Sequence, residues 1–357
     1  MEQVRLLHRY PCCGRRHWPG SAHRFVNRTD SSTDQEQSMT RRVQYTSNGG
    51  IDQLHLAEVA TPEVGRGHVL VSVLYTGLNP LDWKMLQGGR FGTVEGSSGN
   101  GVDFSGVVAE VGSGVEDFAP GDLVYGGLPK QAQTGQLLIE DPADRLDRVP
   151  RGLGIDTAGG LYITGRTAMS GIRDLGLNEG DTLFVSGASG GVGIIVAQLA
   201  RNLGARVIGS ASQGNHALLR SLGVEPVTYG EGMWDNVRTL APNEIQAAYS
   251  TQGEDEIDGL LDAGVPAERI VSIGAGPTVA ETYGVNIAGE ATARRDDMVW
   301  LGEAIAYGHI HVPIDRVFDV DEVQDAYRHL LTAHPAGKVL LRFPAKPLTD
   351  EQRAHLR

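Results

Sequence analysis

The chain has 357 residues, 40% of them hydrophobic and 21% charged, which is typical of a folded protein of one or two domains and excludes a disordered chain. The net charge of −13 makes a nucleic-acid phosphate backbone a poor partner, and no apolar run reaches the ~18 residues that a transmembrane helix needs. The only cysteines, Cys12 and Cys13, are adjacent, which excludes a disulfide framework and a four-cysteine zinc site. Such sparse cysteine usage favours a reducing compartment, the cytoplasm.

Residues 1–38 differ from the rest of the chain. Six arginines and four acids make the segment net positive, and it ends in a polar run just before Met39. It lacks apolar periodicity, so we expect one of two explanations. Either residues 1–38 are a disordered extension, or the true start of the chain is Met39 and Met1 corresponds to an upstream start codon. The segment has no apolar stretch of the kind found in a secretory signal, and an arginine-rich transit peptide stays open as an alternative.

Short strands are predicted from residue 39 to about residue 155. Residues 69–75 form an apolar run, residues 101–112 alternate in the manner of a strand, and a further strand begins at residue 123 after a Pro-Gly-Asp turn. Glycines separate these runs. The spacing predicts a β-rich domain with a partly closed barrel or a sandwich.

Strands and helices alternate from about residue 156 to residue 307. The pattern predicts helices over 157–175, 192–203 and 216–222, and strands over 183–185, 206–209 and 270–274. Alternation of this kind is typical of a doubly wound parallel sheet, which places the chain in the α/β class. A helix over 320–331 and a strand over 338–343 are expected to return to the first domain. Residues 39–155 and 308–357 would then form one domain, and residues 156–307 the other.

The densest glycine cluster lies between the predicted strand 183–185 and the predicted helix 192–203. It reads Ser-Gly-Ala-Ser-Gly-Gly-Val-Gly over residues 186–193. A glycine turn between a strand and a helix lets the backbone approach a pyrophosphate, and the first N–H groups of the helix attract its negative charge. The loop therefore predicts a dinucleotide site.

The end of the next strand bears on the choice between NADPH and NADH. NAD sites usually place Asp or Glu there, about 20 residues after the loop, to hold the ribose hydroxyls. Residues 209–216 contain no acid, whereas Ser210, Ser212 and Asn215 can donate hydrogen bonds to a 2′-phosphate. No arginine stands there either, and serines are also common turn residues. NADPH is the favoured cofactor, and NADH is the alternative.

Several motifs together resemble the medium-chain dehydrogenase/reductases, in their zinc-independent quinone oxidoreductase branch. They are NPLDWK at 79–84, GVDFSGVV at 101–108, PGDLV at 120–124, the glycine loop, and AGKVL at 336–340. The resemblance runs from about residue 39 to residue 343. It implies a GroES-like catalytic domain built from both chain ends, an inserted Rossmann domain, and a cofactor in the cleft between them.

The same resemblance argues against a metal. Zinc-dependent relatives carry Gly-His-Glu where this chain reads Gly101-Val102-Asp103, and no cysteine stands near Asn79. Without a Lewis acid, a plain ketone is a hard substrate because nothing strong polarises its oxygen. A quinone or an enone is easier, because the charge left by hydride addition spreads and a few hydrogen-bond donors can stabilise it.

The resemblance also implies site residues. Asn79 is expected at the nicotinamide face with Asp82 near it, and Trp83 either stacks on a flat substrate or packs in the core. Trp83 and Lys84 stand where relatives often carry a tyrosine, so protonation of the product is expected from solvent. Acidic residues 254–258 are expected to form an exposed helix start. Cofactor contacts are expected from Thr167, Ser189, Gly190, Gly191, Val192, Gly209, Ser210, Ser212, Asn215, Tyr229, Ile273 and Gly274.

These features predict an NADPH-dependent reductase that transfers hydride to a quinone, or to the activated double bond of an enone or enoyl compound. Two alternatives stay open. One is an enoyl reductase dedicated to a biosynthetic pathway, and the other is an NADPH-binding sensor or structural protein with little turnover. The expected partners are a small-molecule substrate and, by resemblance, a second copy in a homodimer. Neither nucleic acid nor a membrane is expected.

Overall fold

The structure of the protein is a computed structural model that describes residues 38–242, 244–287 and 289–357. Residues 1–37, which make up nearly all of the predicted N-terminal extension and include Cys12 and Cys13, lie outside the described ranges. Within those ranges, no helix is long and apolar enough to cross a bilayer.

Ten strands of the described chain form two sheets from its two ends. They are β1 (Met39–Tyr45), β2 (His55–Ala60), β3 (Val69–Gly77), β4 (Ser98–Gly99), β5 (Asp103–Val111), β6 (Leu123–Gly127), β7 (Gln136–Ile139), β8 (Leu146–Arg148), β14 (Ile314–Asp319) and β15 (Lys338–Arg342). The smaller sheet has the order β2–β1–β4. The larger has the order β14–β15–β3–β5–β6–β8, with β7 also paired to β3. The C-terminal strands therefore join the N-terminal sheet, as the sequence predicts.

Strand β3 is central to the larger sheet and is buried along almost its whole length. Val71 and Val73 face one hydrophobic core, which lies within the sheets of the two chain ends. Leu74 faces a second core, shared with the helices of the middle of the chain. Because both faces are covered, an uninterrupted apolar run is the pattern that such a strand requires.

The middle of the chain forms a five-stranded sheet. Its strands are β9 (Thr182–Val185), β10 (Arg206–Ala211), β11 (Glu225–Thr228), β12 (Ala247–Ser250) and β13 (Ile270–Ser272). The order is β11–β10–β9–β12–β13, and every pair is parallel. The predicted parallel sheet is confirmed.

Twelve α-helices lie in the described ranges. They are α1 (Pro80–Gln87), α2 (Pro142–Arg145), α3 (Ile155–Gly159), α4 (Tyr162–Leu175), α5 (Gly191–Asn202), α6 (His216–Ser221), α7 (Met233–Leu240), α8 (Glu254–Asp262), α9 (Pro277–Tyr283), α10 (Asp297–Ala306), α11 (Val323–Thr332) and α12 (Asp350–His355). Helix α5 buries Ile195, Val196 and Leu199 in the same core as strand β9. These residues are three and four apart, as an amphipathic helix requires.

Two predicted helices differ in detail from the structure. The helix predicted over 157–175 is two helices, because the chain breaks at Gly160 and Leu161 between α3 and α4. The side chain of Lys338 occupies the space beside this break: a Cβ at Gly160 would lie 2.9 Å from the Cε of Lys338. The helix predicted over 320–331 begins with a 3₁₀ turn over Val320–Glu322, and α11 follows it.

The predicted fold class is confirmed, since a β-rich unit from the chain ends accompanies a parallel α/β sheet from the middle. A hydrophobic core runs between them, with Tyr125 and Leu153 from one part against Met298 and Leu301 from the other. The hydroxyl of Tyr125 also donates to the carbonyl of Met298 at 2.8 Å. The limits at residues 155/156 and 307/308 stay a prediction.

Candidate active site

The glycine loop, residues 186–193, connects strand β9 to helix α5. It turns tightly, with the Gly190 N–H bonded to the Gly187 carbonyl at 2.9 Å and the Ala188 N–H bonded to the Ser210 carbonyl at 2.9 Å. A Cβ at Gly193 would lie 2.3 Å from the carbonyl oxygen of Gly187, so this position has no room for a side chain. The first N–H groups of α5 have no partner within the helix. The loop thus has the shape and the dipole that a pyrophosphate needs.

The predicted adenosine-side residues lie together beside this loop. Asn215 donates to the Ser189 hydroxyl at 3.0 Å, and the Ser210 hydroxyl accepts from the Gly187 N–H at 3.2 Å. Gly209 lies against Ala188 of the loop, Ser212 is half-buried, and Tyr229 is exposed.

The sequence did not indicate His334, which approaches the same region from the segment before β15. Its ring centroid is 5.6 Å from that of Tyr229, and its carbonyl accepts from Asn215 at 3.2 Å. No sequence signal marks His334, because it reaches the site from a distant part of the chain.

The predicted nicotinamide-side residues lie at the ends of β12 and β13 and on α4. The Ile273 N–H donates to the Ser250 carbonyl at 3.0 Å, and a Cβ at Gly274 would lie 1.9 Å from the carbonyl oxygen of Gln252. Thr167 is buried on α4. These contacts hold the strand ends close together, and whether they touch a nicotinamide stays a prediction.

The expected acidic helix start is confirmed except at one residue. Residues 254–258 begin helix α8, and Glu254, Asp255 and Asp258 are exposed, whereas Glu256 is half-buried. The Ser250 hydroxyl donates to its carboxylate, and burial raises the pKa of Glu256, while hydrogen bonds from Ser186 and Ser250 lower it in part. The carboxylate points inward because these hydroxyls stand at the strand ends.

Asn79 is buried and forms the N-cap of helix α1. Its backbone N–H donates to the Asp82 carboxylate at 2.8 Å in a capping box, which explains why an acid stands three residues after an N-cap. Its side-chain amide nitrogen donates to Asp103 at 3.1 Å and to the Gly77 carbonyl at 3.4 Å. Its side-chain oxygen accepts from Lys338 at 2.6 Å.

Asn79, Asp82, Asp103 and Lys338 form a buried group that we call the Asn79 cluster. Burial and then the charge of the neighbouring Asp103 raise the pKa of Asp82 to about 8, although the Asn79 backbone N–H and Lys338 act in the opposite direction. Burial also raises the pKa of Asp103 and lowers that of Lys338, and their mutual attraction opposes both changes. The Lys338 ammonium lies 3.5 Å from Asp103. We therefore assign the ion pair to Lys338 and Asp103, and the protonated carboxyl to Asp82.

A second layer of polar groups lies behind Asp82. The Tyr327 hydroxyl accepts from Asn100 at 2.9 Å and from Gln133 at 2.8 Å. Burial and then the charge of Asp82 raise the pKa of Tyr327. The sequence motifs did not identify Lys338, Asp103 or Tyr327 as site residues. A signal was present for the first two, since each is a charged residue directly beside an apolar strand.

Trp83 is half-buried and packs against the core that contains Leu86. This contact favours the packing alternative of the sequence analysis, and stacking on a substrate stays a prediction. In the part of the chain that the structure describes, no group of three or more His, Cys, Asp or Glu side chains could hold a metal ion. The Asp103 carboxylate accepts from the Asn79 side-chain amide and from the Ile163 N–H.

Two family models match the chain. The alcohol dehydrogenase GroES-like domain covers residues 65–167, and the zinc-binding dehydrogenase domain covers residues 225–341. The first range contains strands β3 and β5 to β8 of the larger sheet. The second contains β11 to β13 of the parallel sheet together with β14 and most of β15 of the larger sheet.

Individual proteins agree with these matches. The chain is 29% identical over 317 residues to a 2-methylene-furan-3-one reductase of Solanum lycopersicum, covering 83% of this chain and 77% of the relative. It is 30% identical over 315 residues to a chloroplastic NADPH-dependent alkenal/one oxidoreductase of Arabidopsis thaliana, covering 83% and 78%. The solved structure of Escherichia coli quinone oxidoreductase complexed with NADPH superposes with a TM-score of 0.73 at 22% identity, covering 85% and 99%. With these matches, and with its glycine loop beside the buried Asn79 cluster, the chain belongs to the medium-chain dehydrogenase/reductases, among their quinone oxidoreductase-like members.

Proposed function

We propose that the protein is an NADPH-dependent oxidoreductase that reduces a quinone, or the activated double bond of an enone or enoyl compound, without a metal. The observation that carries the proposal is the contact that connects the glycine loop to the Asn79 cluster. The Gly337 N–H donates to the carbonyl of Ser189 in the glycine loop at 2.7 Å, and the next residue, Lys338, binds Asn79. The glycine loop therefore lies next to a cluster built on an amide and an ion pair, which supports the proposal.

The glycine loop would hold the pyrophosphate through backbone N–H groups at the start of α5. The residues at the ends of β12 and β13 would border the nicotinamide. When bound, the cofactor supplies a hydride from its nicotinamide ring. The protein's part is to exclude water and to orient the acceptor, and Asn79 is the proposed polar group on that side.

The donor set of the site favours a conjugated acceptor. Among the described residues near Asn79, the polar groups on the acceptor side are amide dipoles held by the buried Lys338–Asp103 pair, and no metal-ligating set accompanies them. Such groups stabilise a delocalised enolate or hydroquinone anion more readily than the localised charge of an alkoxide. The alkenal/one and furanone substrates in the names of the two relatives support this acceptor class.

We favour NADPH over NADH because residues 209–216 at the end of β10 contain no carboxylate to repel a 2′-phosphate. Ser212 and Asn215 lie there on the short turn that precedes α6. A Ser212→Asp variant should lose at least about tenfold of its preference for NADPH, because a carboxylate would face the phosphate. Ratios of dissociation constants for NADPH and NADH, from nicotinamide fluorescence, would measure this. An unchanged ratio would place the phosphate elsewhere.

The decisive experiment is a titration with NADPH and NADH, followed by addition of 9,10-phenanthrenequinone, a simple enone and an enoyl thioester. Binding with oxidation of NADPH on the quinone or the enone is the expected result. Turnover of the thioester alone would identify a pathway-specific enoyl reductase. Tight binding without turnover of any acceptor would indicate a sensor or structural protein. No binding of either nucleotide would refute the assignment of the glycine loop.

For assembly and location, the proposal is a homodimer in the cytoplasm. Support for the dimer comes from the family resemblance. Within the described ranges, β13 is an edge strand, but its outer side is occupied, because Asn286 accepts from the Ser272 N–H at 2.8 Å and donates to the Ile270 carbonyl at 3.0 Å. Light scattering would give the mass in solution, and fractionation would give the compartment. The chloroplast named for the Arabidopsis thaliana relative is the competing location.

A further inference from the structure

Lys338 runs between the two parts of the molecule. It begins strand β15 and is 3% exposed. Its aliphatic stem lies beside Gly191, the first residue of α5, and beside Gly160, at the break between α3 and α4. A Cβ at Gly191 would lie 3.0 Å from the Cδ of Lys338, and a Cβ at Gly160 would lie 2.9 Å from its Cε. The Lys338 side chain therefore fills a narrow channel, and neither Gly191 nor Gly160 has room for a side chain of its own.

The ammonium at the end of this channel has three acceptors. Lys338 donates to the Leu78 carbonyl at 3.1 Å and to the Asn79 side-chain oxygen at 2.6 Å, and it lies 3.5 Å from the Asp103 carboxylate. An ammonium has three N–H donors, so its hydrogen-bonding capacity is filled.

These charges determine which way the Asn79 amide points. The amide oxygen faces the positive Lys338, and the amide nitrogen faces the negative Asp103 at 3.1 Å. Rotating the amide by half a turn would put its N–H groups against an ammonium and its oxygen against a carboxylate. Both contacts would then be repulsive, so the two orientations differ strongly in energy.

The backbone before Lys338 is attached to the glycine loop. The Gly337 N–H donates to the Ser189 carbonyl at 2.7 Å, and Gly190 and Gly337 form an isolated parallel bridge. One short segment, residues 337–338, therefore contacts the loop with its backbone and Asn79 with its side chain.

We infer that Lys338 is a positioning residue for hydride transfer: with Asp103 it sets the orientation of the Asn79 amide relative to the glycine loop. The inference rests on the proposed function. Lys338 itself touches neither substrate nor cofactor in this role. Because rates depend steeply on the alignment of reacting groups, loss of the ammonium should lower kcat far more than it weakens NADPH binding.

The main test compares Lys338→Met with the double variant Lys338→Met/Asp103→Asn. Methionine keeps the length of the stem without the charge, and the double variant removes the carboxylate that would otherwise be left unpaired. Arg295→Met is the matched control, because Arg295 also pairs a buried carboxylate, Asp147 at 2.5 Å, between the two parts of the chain. It has no contact with the Asn79 cluster among its hydrogen bonds.

The expected result is a fall in kcat of at least about tenfold for both Lys338 variants, with the dissociation constant of NADPH within about threefold of wild type. The Arg295→Met control should keep its kcat within about twofold, even if its melting temperature falls. A folded Lys338 variant with wild-type kcat would overturn the inference. An equal loss of kcat in Arg295→Met would overturn it too, since the loss of any ion pair between the two parts of the chain would then be enough to lower kcat.

A second measurement uses the wild-type protein. It therefore requires neither a folded variant nor catalytic turnover. The side-chain amide signals of Asn79 and Asn100 are followed by NMR in protein labelled with ¹⁵N-asparagine, during addition of NADPH. Signals of Asn79 should shift, since residues 337–338 join it to the loop, whereas those of Asn100, bonded to Tyr327, should not. Unchanged Asn79 signals with NADPH bound would contradict the inference. Wild-type protein without turnover on any acceptor, but with the Asn79 shift, would refute the proposed function instead.

Discussion

The glycine loop and the Asn79 cluster are adjacent, but they are built in opposite ways. The loop occupies eight consecutive residues and acts through backbone groups and the start of α5. The cluster collects side chains from β5, from the turn into α1 and from β15, up to 259 residues apart. A backbone site depends on glycine at a few positions, whereas a side-chain site depends on each partner being present. The two should therefore respond differently to substitution.

Their electrostatics differ in the same way. The loop attracts an anion with partial charges at a helix start, which cost little to bury. The Asn79 cluster buries two carboxyl groups and one ammonium, and stays neutral only if one carboxyl keeps its proton. Loss of any one member leaves a charge or a polar group without its partner. Four substitutions test this contrast.

The largest expected effect on stability is that of Asp103→Asn. It removes the ion-pair partner of the buried Lys338 ammonium, and breaking a buried ion pair on one side costs about 3–5 kcal/mol. Urea unfolding would measure the change in the free energy of unfolding. The control is Glu225→Gln, which removes the carboxylate of the exposed pair with Arg206 and should cost less than about 1 kcal/mol. Equal losses in the two variants would contradict a special role for burial.

Gly193→Ala should be the most damaging single change in the glycine loop. The new Cβ would lie 2.3 Å from the Gly187 carbonyl oxygen, so the loop must move, at a cost of about 1–3 kcal/mol. NADPH affinity should fall with it, and a fluorescence titration and a melting curve would show both effects. Gly276→Ala is the matched control, since nothing lies within 4 Å of a Cβ there. Unimpaired NADPH binding by Gly193→Ala would show that the loop tolerates rearrangement.

Asp82→Asn should change the pH dependence of stability. The pKa of Asp82 is raised from 3.8 to about 8 in the folded protein, so between these values the folded state keeps a proton that the unfolded state has lost. Stability should therefore fall as the pH rises from about 4 to 8, by at most ~1.4 kcal/mol per pH unit for one proton. The groups that face Asp82 are Asp103, Lys338 and Tyr327.

The variant carries no titrating group at position 82, so its stability should depend less on pH over this range. Its amide oxygen can still accept the Asn79 N–H of the capping box. Unfolding free energies of both proteins at pH 5, 6, 7 and 8 would give the two slopes. Parallel slopes would mean that Asp82 is ionised in the folded protein.

Ser189→Ala should have the smallest effect. The change removes a hydroxyl that accepts from Asn215, but leaves every backbone N–H of the loop in place. Loss of one hydrogen bond is worth about 1 kcal/mol, so the dissociation constant of NADPH should rise about fivefold or less. Calorimetric titration would measure it. A loss of a hundredfold or more would show that side chains, rather than the backbone, carry binding in this loop.

The sequence allowed prediction of the parts whose residues are neighbours in the chain. The loop at 186–193, the helix α5 and the parallel strands around it follow from local apolar spacing and glycine placement. The capping relation of Asn79 and Asp82 is local too, although its meaning as a cap became clear only from the hydrogen bond between them. The break between α3 and α4 was not predicted, and it lies beside the side chain of the distant Lys338.

The same distinction applies to the site. Asn79 was predicted at the active site through a motif, but its partners Lys338 and Asp103 were read only as parts of strand motifs. Glu256 was expected in solvent, because a run of acids on a helix start is usually exposed, yet Ser250 and Ser186 turn it inward. Sequence patterns report the periodicity of an element, not which polar group stands opposite it.

The sequence by itself determined the α/β class, the dinucleotide loop and the absence of a carboxylate at the end of β10, since all three depend on residue types at short spacing. Only the tertiary structure decided that Lys338 reaches Asn79, that Asp103 pairs with that lysine, and that burial beside Asp103 raises the pKa of Asp82. The physical reason is that buried charges interact through space over a few ångströms. The packing of β3, β5 and β15 sets those distances, and the pattern of neighbouring residues in the sequence does not predict that packing.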